Sequence, residues 1–148
     1  MYQHILVPID IADEKSCRPV LAHSVDLARN AGARLTLLTV IPDFGMPVVE
    51  IGFPADFSER MENEVETKLA RIAANSVPAD LPCERRVATG TVYEAIIRTA
   101  GEIGADLVVV GAHRPNMPEF LIGSNASRVV HHAGCSVLVV RDAALRGR

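Results

Sequence analysis

What most constrains this chain is a rhythm: short runs of consecutive apolar residues recur along it, separated by longer stretches with helical spacing. His4-Ile5-Leu6-Val7-Pro8-Ile9, Arg34–Ile41, Asp106–Val110 and Ser136–Arg141 are such runs. Apolar residues at consecutive rather than alternate positions mark strands buried on both faces, and that pattern belongs to parallel sheets covered by helices. Cys83–Thr89 alternates weakly and adds a fifth strand, whose Arg85 and Arg86 suit a sheet edge.

The intervening stretches read as helices. The first is expected to begin near Ser16, with Pro19 tolerated in its first turn, where N–H groups lack helical partners. Val20, Leu21, Ser24, Leu27, Ala28 and Ala31 form its inward stripe, and Gly32 supplies a left-handed stop. Asp56-x-x-Glu59 and Thr91-x-x-Glu94 resemble capping boxes opening the second and third helices. A fourth runs through Ala126–Ala133 to a stop at Gly134. Pro42–Pro54 reads as a long loop and Asp142–Arg148 as a frayed tail.

Five strands alternating with four helices predict an α/β fold: a doubly wound, open, parallel five-stranded sheet of Rossmann-like type, order 3-2-1-4-5, with helices on both faces. The 148 residues suit one domain, spanning the whole chain, with a core that needs no staples. Hydrophobic residues at 49% and a net charge of −3 fit a soluble protein without the electrostatic footprint of a nucleic-acid or membrane binder. No secretory leader is visible at the N-terminus. Cys17, Cys83 and Cys135, with no C-x-x-C spacing, read as reduced thiols of a cytoplasmic protein.

In that strand order strands one and four are neighbours at the topological switch point, where open α/β sheets bind ligands beyond their carboxyl ends. Strand one delivers Asp10 there, and strand four delivers Gly111-Ala112-His113-Arg114. Gly123-Ser124-Asn125 then opens the next helix. A glycine turn leaving a strand and a glycine at a helix start form a layout for holding phosphate, through backbone N–H groups and the helix dipole. Arg114 can pair with phosphate oxygens in a fork, and His113 can donate to them. Asp10 suits a ribose hydroxyl, a water on a bound magnesium ion, or merely its own turn. Val40, ending strand two, suits either an adenine ring or the core. Neither G-x-x-x-x-G-K-[ST] nor G-x-G-x-x-G occurs, and no general base stands beside the phosphate loop. No catalytic residue is assigned.

Ile5-Leu6-Val7-Pro8-Ile9-Asp10, Gly32-Ala33-x-Leu35-x-Leu37-Leu38-x-Val40, the Gly111/Gly123-Ser124 loop and Cys135–Arg141 together resemble the universal stress protein family, over about residues 2 to 141. The resemblance implies a Rossmann-like sheet, a homodimer and, in one branch, bound ATP. Carried over to this sequence, Pro8, Ile9, Asp10 and Val40 line the adenosine side, while Gly111, His113, Gly123, Ser124 and Asn125 hold the phosphates. That branch's motif is Gly-x2-Gly-x9-Gly-[ST]; here Arg114 replaces the second glycine, and eight residues separate it from Gly123. The expected ligand is ATP or another adenine nucleotide, with or without Mg2+.

The leading reading is therefore a cytoplasmic, nucleotide-binding stress-response protein that acts as a nucleotide-dependent regulator or protective factor. Two others stand beside it: a dimeric interaction module with a vestigial loop, whose protein partners are unknown, and a slow ATPase. Strand five, Ser136–Arg141, is an apolar edge that can pair antiparallel with a second copy.

Overall fold

The computed structural model describes residues 1–42, 57–112 and 122–141. The elements run β1 (His4–Pro8), α1 (Glu14–Ala31), β2 (Arg34–Pro42), α2 (Phe57–Ser76), β3 (Cys83–Gly90), α3 (Val92–Ile103), β4 (Leu107–Gly111), α4 (Ser124–His132) and β5 (Ser136–Val140). All adjacent strands pair in parallel, in the order β3-β2-β1-β4-β5, the expected doubly wound arrangement.

Double-sided burial explains the consecutive apolar runs. Ile5, Val7, Leu35, Leu37, Leu107 and Val109 face one layer, in which Val20, Leu21, Leu69 and Ile72 of α1 and α2 pack on the sheet. Leu6, Leu38, Val108 and Val110 face the other, under Ile96 and Ala100 of α3 and Ala126 and Val129 of α4. Ile5, Leu6, Leu35, Leu37 and Leu38 are all wholly buried. Each such side chain contributes about 1.5–3 kcal/mol by leaving water. β3 carries its charges outward, as its edge position requires: Arg85 pairs with Glu66 at 2.8 Å and Arg86 with Glu102 at 3.2 Å.

Several local expectations shift. α1 begins at Glu14, so Pro19 lies inside the helix rather than in its first turn. Asp13 at the N-cap makes no side-chain cap; instead its carboxylate accepts a 2.7 Å hydrogen bond from the Ser16 hydroxyl. Thr91 does start α3, yet its hydroxyl makes no cap bond either, so the capping-box pattern marks the boundary without the expected bond. α4 ends on an extended Ala133, one residue before the glycine expected to stop it. Gly32 is left-handed at φ 68°, as expected, and Gly104 ends α3 in the same way. The Asp56 half of the other proposed capping box, the Pro42–Pro54 loop beyond Pro42, and the tail lie outside the described residues.

Candidate functional site

The carboxyl ends of the strands are where the sheet opens. β1 stays paired with β2 up to Pro8 opposite Leu38, and β4 with β5 up to Gly111 opposite Val140. Between β1 and β4, however, pairing stops at Leu6 opposite Val108. The two central strands thus part over their last residues, at the point where the order of connection reverses.

One side of this parting is built by the exit of β1. Ile9 is buried, and its N–H donates to the Leu38 carbonyl at 2.7 Å. Its own carbonyl accepts from the Thr39 hydroxyl at 3.1 Å. The chain then turns at Asp10, which is exposed. One Asp10 carboxylate oxygen accepts from the Ala12 N–H at 3.0 Å, and the Asp10 carbonyl accepts from the Asp13 N–H at 3.0 Å. This is a side-chain-closed turn, so one oxygen of Asp10 already serves the local structure. Beneath it the Cys17 thiol donates to the Asp10 carbonyl at 3.6 Å. Burial pushes that thiol's pKa up to about 11, which makes it a poor nucleophile. Val40 is half-buried against the α3–α4 layer.

The other side is built by the exit of β4. Gly111 is still within the strand, and a side chain there would place its Cβ 3.2 Å from Cγ2 of Val20. The glycine therefore lets α1 approach the sheet closely, a packing role beside the ligand role expected of it. Ala112 extends the strand's contacts, its N–H donating to the Val140 carbonyl at 2.9 Å. The Ala112 carbonyl then accepts from the Gly123 N–H at 3.1 Å. That bond sets the start of α4 directly beside the end of β4. The first helical bond is Ser127 N–H to the Gly123 carbonyl, at 2.9 Å. The N–H groups of Ser124, Asn125 and Ala126 precede it and have no acceptor within the helix. Such donors suit an anion such as phosphate.

Of the residues singled out from sequence, Pro8, Ile9 and Asp10 lie on the first side; Val40 lies on the neighbouring strand, which runs two residues beyond it to Pro42 rather than ending there. Gly111, Gly123, Ser124 and Asn125 lie on the second. His113 and Arg114 fall outside the described residues. Among the described residues no group of three or more His, Cys, Asp or Glu converges to hold a metal ion. Nothing in the sequence singles out Thr39, because a threonine inside an apolar strand reads as strand propensity. Its only signal was a hydroxyl at a position that had to be buried.

The parted parallel sheet and the glycine-opened helix define a doubly wound α/β protein of Rossmann type. The universal stress protein family model matches residues 1–141. Universal stress protein G of Shigella flexneri is 33% identical over 145 residues, covering 95% of this chain and 100% of that protein. The chain belongs to the universal stress protein family.

Among solved structures, the hypothetical protein MJ0577, whose biochemical function was assigned from its structure, is 25% identical at a TM-score of 0.80, covering 96% of this chain and 97% of that one. A universal stress protein in complex with cAMP is 24% identical at a TM-score of 0.62, covering 95% and 97%. The Archaeoglobus fulgidus universal stress protein in complex with dAMP is 19% identical at a TM-score of 0.62, covering 95% and 98%.

Proposed function

We propose that this universal stress protein binds an adenine nucleotide at the parting of β1 and β4 and works as a nucleotide-dependent regulator or protective factor in the cytoplasm, as a single-domain chain. The observation that carries the reading is the Gly123 N–H bond to the Ala112 carbonyl at 3.1 Å. It brings the open N-terminus of α4 to the mouth of a crevice where β1 and β4 no longer pair. Adenosine lies along Pro8, Ile9, Asp10 and Val40. Its phosphate meets the N–H groups at Ser124 and Asn125, with Gly111, His113 and Arg114 completing the loop. Support for adenylate as the ligand class comes from relatives of this fold that hold cAMP and dAMP. ATP, with or without Mg2+ watered to Asp10, is the extended form of the same ligand.

Two copies pair through β5. Val137, Leu138 and Val139 are only half-buried there, and β5 is the last strand of the order, so its outer edge meets no further strand of the described sheet.

Titration calorimetry with ATP, ADP, AMP and cAMP is the direct test. Saturable binding by the unaltered protein, lost in Gly123→Val and weakened in Arg114→Ala, is the expected result. No heat up to millimolar nucleotide would reject the reading. Turnover of ATP that survives both substitutions belongs to a contaminant.

A further inference from the structure

We infer that Thr39 is a positioning residue for the nucleotide site: its hydroxyl holds the β1 exit, and with it Asp10, in register with the end of β2 that carries Val40. The inference rests on the adenylate reading of the crevice and adds to it a residue that touches no ligand.

Past Pro8 the β1–β2 register ends, and one further bond continues it, from the Ile9 N–H to the Leu38 carbonyl at 2.7 Å. The Ile9 carbonyl is where the ladder gives way to the turn. It accepts instead from the Thr39 hydroxyl, at 3.1 Å and in a buried setting. Thr39 is 3% exposed and Ile9 4% exposed, so water does not replace this donor readily. Successive side chains of a strand alternate in direction. Thr39 therefore points into the α1–α2 layer, while its neighbour Val40 packs toward α3 and α4.

A single side-chain bond thus ties together the two backbone segments expected to flank the adenosine. The Asp10 turn closes on itself through Ala12 and Asp13. Those bonds shape the turn without orienting it against β2. Among the described contacts, the bonds from Ile9 to Leu38 and from Thr39 to Ile9 supply that orientation. The first is a backbone bond that any residue provides. The second depends on a hydroxyl, and so on this residue.

The test compares unaltered protein, Thr39→Val and Thr39→Ser by calorimetry with AMP and ATP, alongside amide exchange at Ala12 and Asp13. Valine keeps the β-branched shape and removes only the donor. It is expected to weaken binding about tenfold, the worth of one net hydrogen bond, and to speed exchange at Ala12 and Asp13. Serine keeps the hydroxyl and is expected to restore both. A residue that serves stability alone would lower the melting temperature of Thr39→Val while leaving the folded protein's affinity and the exchange of those amides unchanged. That outcome overturns the proposal, as does a Thr39→Ser variant as weak as Thr39→Val. If the unaltered protein binds neither nucleotide, the adenylate reading fails and the positioning role fails with it. Binding by the unaltered protein at equal strength in Thr39→Val refutes the positioning role alone.

Discussion

His4 and Asp106 show how single residues tune the amino end of the sheet. His4 is buried on β1, with its Nε2 2.7 Å from the Thr36 hydroxyl oxygen. Burial first, and then the nearby Arg34 charge, hold its pKa below the ordinary 6.5. Asp106 accepts hydrogen bonds from the Gln3 N–H at 2.9 Å and the His4 N–H at 3.1 Å. Desolvation pushes its pKa up, but these N–H groups outweigh it and hold the carboxyl below 3.8. For both groups the unfolded chain takes up protons at a higher pH than the folded one, so both contributions fall away on acidification. The His4 contribution is whole above 6.5 and is lost as pH falls from there toward the folded value. That of Asp106 is whole above 3.8 and is lost only below it. Urea melts at pH 7.5 and 5.5 are expected to show a drop that His4→Leu largely removes, whereas Asp106→Asn leaves this window unchanged. A second residue-scale prediction concerns Gly111, whose absent side chain gives Val20 its place. Gly111→Val is expected to cost about 1–3 kcal/mol by overpacking. The cost should shrink in a Val20→Ala background, as a double-mutant cycle by denaturant unfolding would register.

At the scale of elements, β3 and β5 are both edges but differ in chemistry. β3 wears Glu84, Arg85 and Arg86, and its arginines are engaged by Glu66 and Glu102. β5 has Val137, Leu138 and Val139 in the same places and no charge within the strand. Charge on an edge discourages pairing and its absence permits it, which is why the dimer is proposed at β5. In a strand the N–H and C=O of one residue point to the same side. The Val140 carbonyl faces β4, where it accepts from Ala112. Val139 therefore presents its N–H outward. Val139→Pro removes a donor from the free edge while sparing the bonds to β4, so it is expected to yield a folded monomer in sedimentation velocity. A dimer unaffected by this change would place the interface elsewhere. How far the elements were legible from sequence depended on what marks each boundary. The apolar run predicts a strand through Ile9, whereas β1 ends one residue earlier at Pro8; the proline, which lacks a ladder donor, sits at the carboxyl end as expected. The start of α1 was misplaced by two residues, because Asp13 and Ser16 bond each other rather than forming the usual cap. The end of α4 was assigned to a glycine, whereas the chain left the helix at Ala133 in extended form.

For the molecule as a whole, a ligand that binds only the folded state adds stability by mass action. Adenylate at a hundred times its Kd is expected to add about 2.7 kcal/mol. For a chain of this size that raises the melting temperature by about 5–10 °C. Scanning fluorimetry across adenylate concentrations checks this, and a flat response to all of them argues against a site linked to the fold. Among the described residues no helix is long and apolar enough to cross a membrane.

The element order, the double-sided burial of the strands and the family can all be read along the chain. These depend on local periodicity and on residues close together along the chain. The sequence also placed the glycines and Asp10 at strand and helix ends. Which of them meet is settled by packing in three dimensions. The Thr39–Ile9 bond joins residues 30 apart and the Asp106–His4 bond residues 102 apart. The parting of β1 from β4 beyond Leu6 and Val108 follows from how neighbouring strands pair along the whole sheet. Such contacts depend on sheet twist and on helices packed against both faces, and no local pattern carries them. That is why Gly111 read as a ligand-side glycine when its missing side chain also makes room for Val20, and why Thr39 read as an ordinary strand residue.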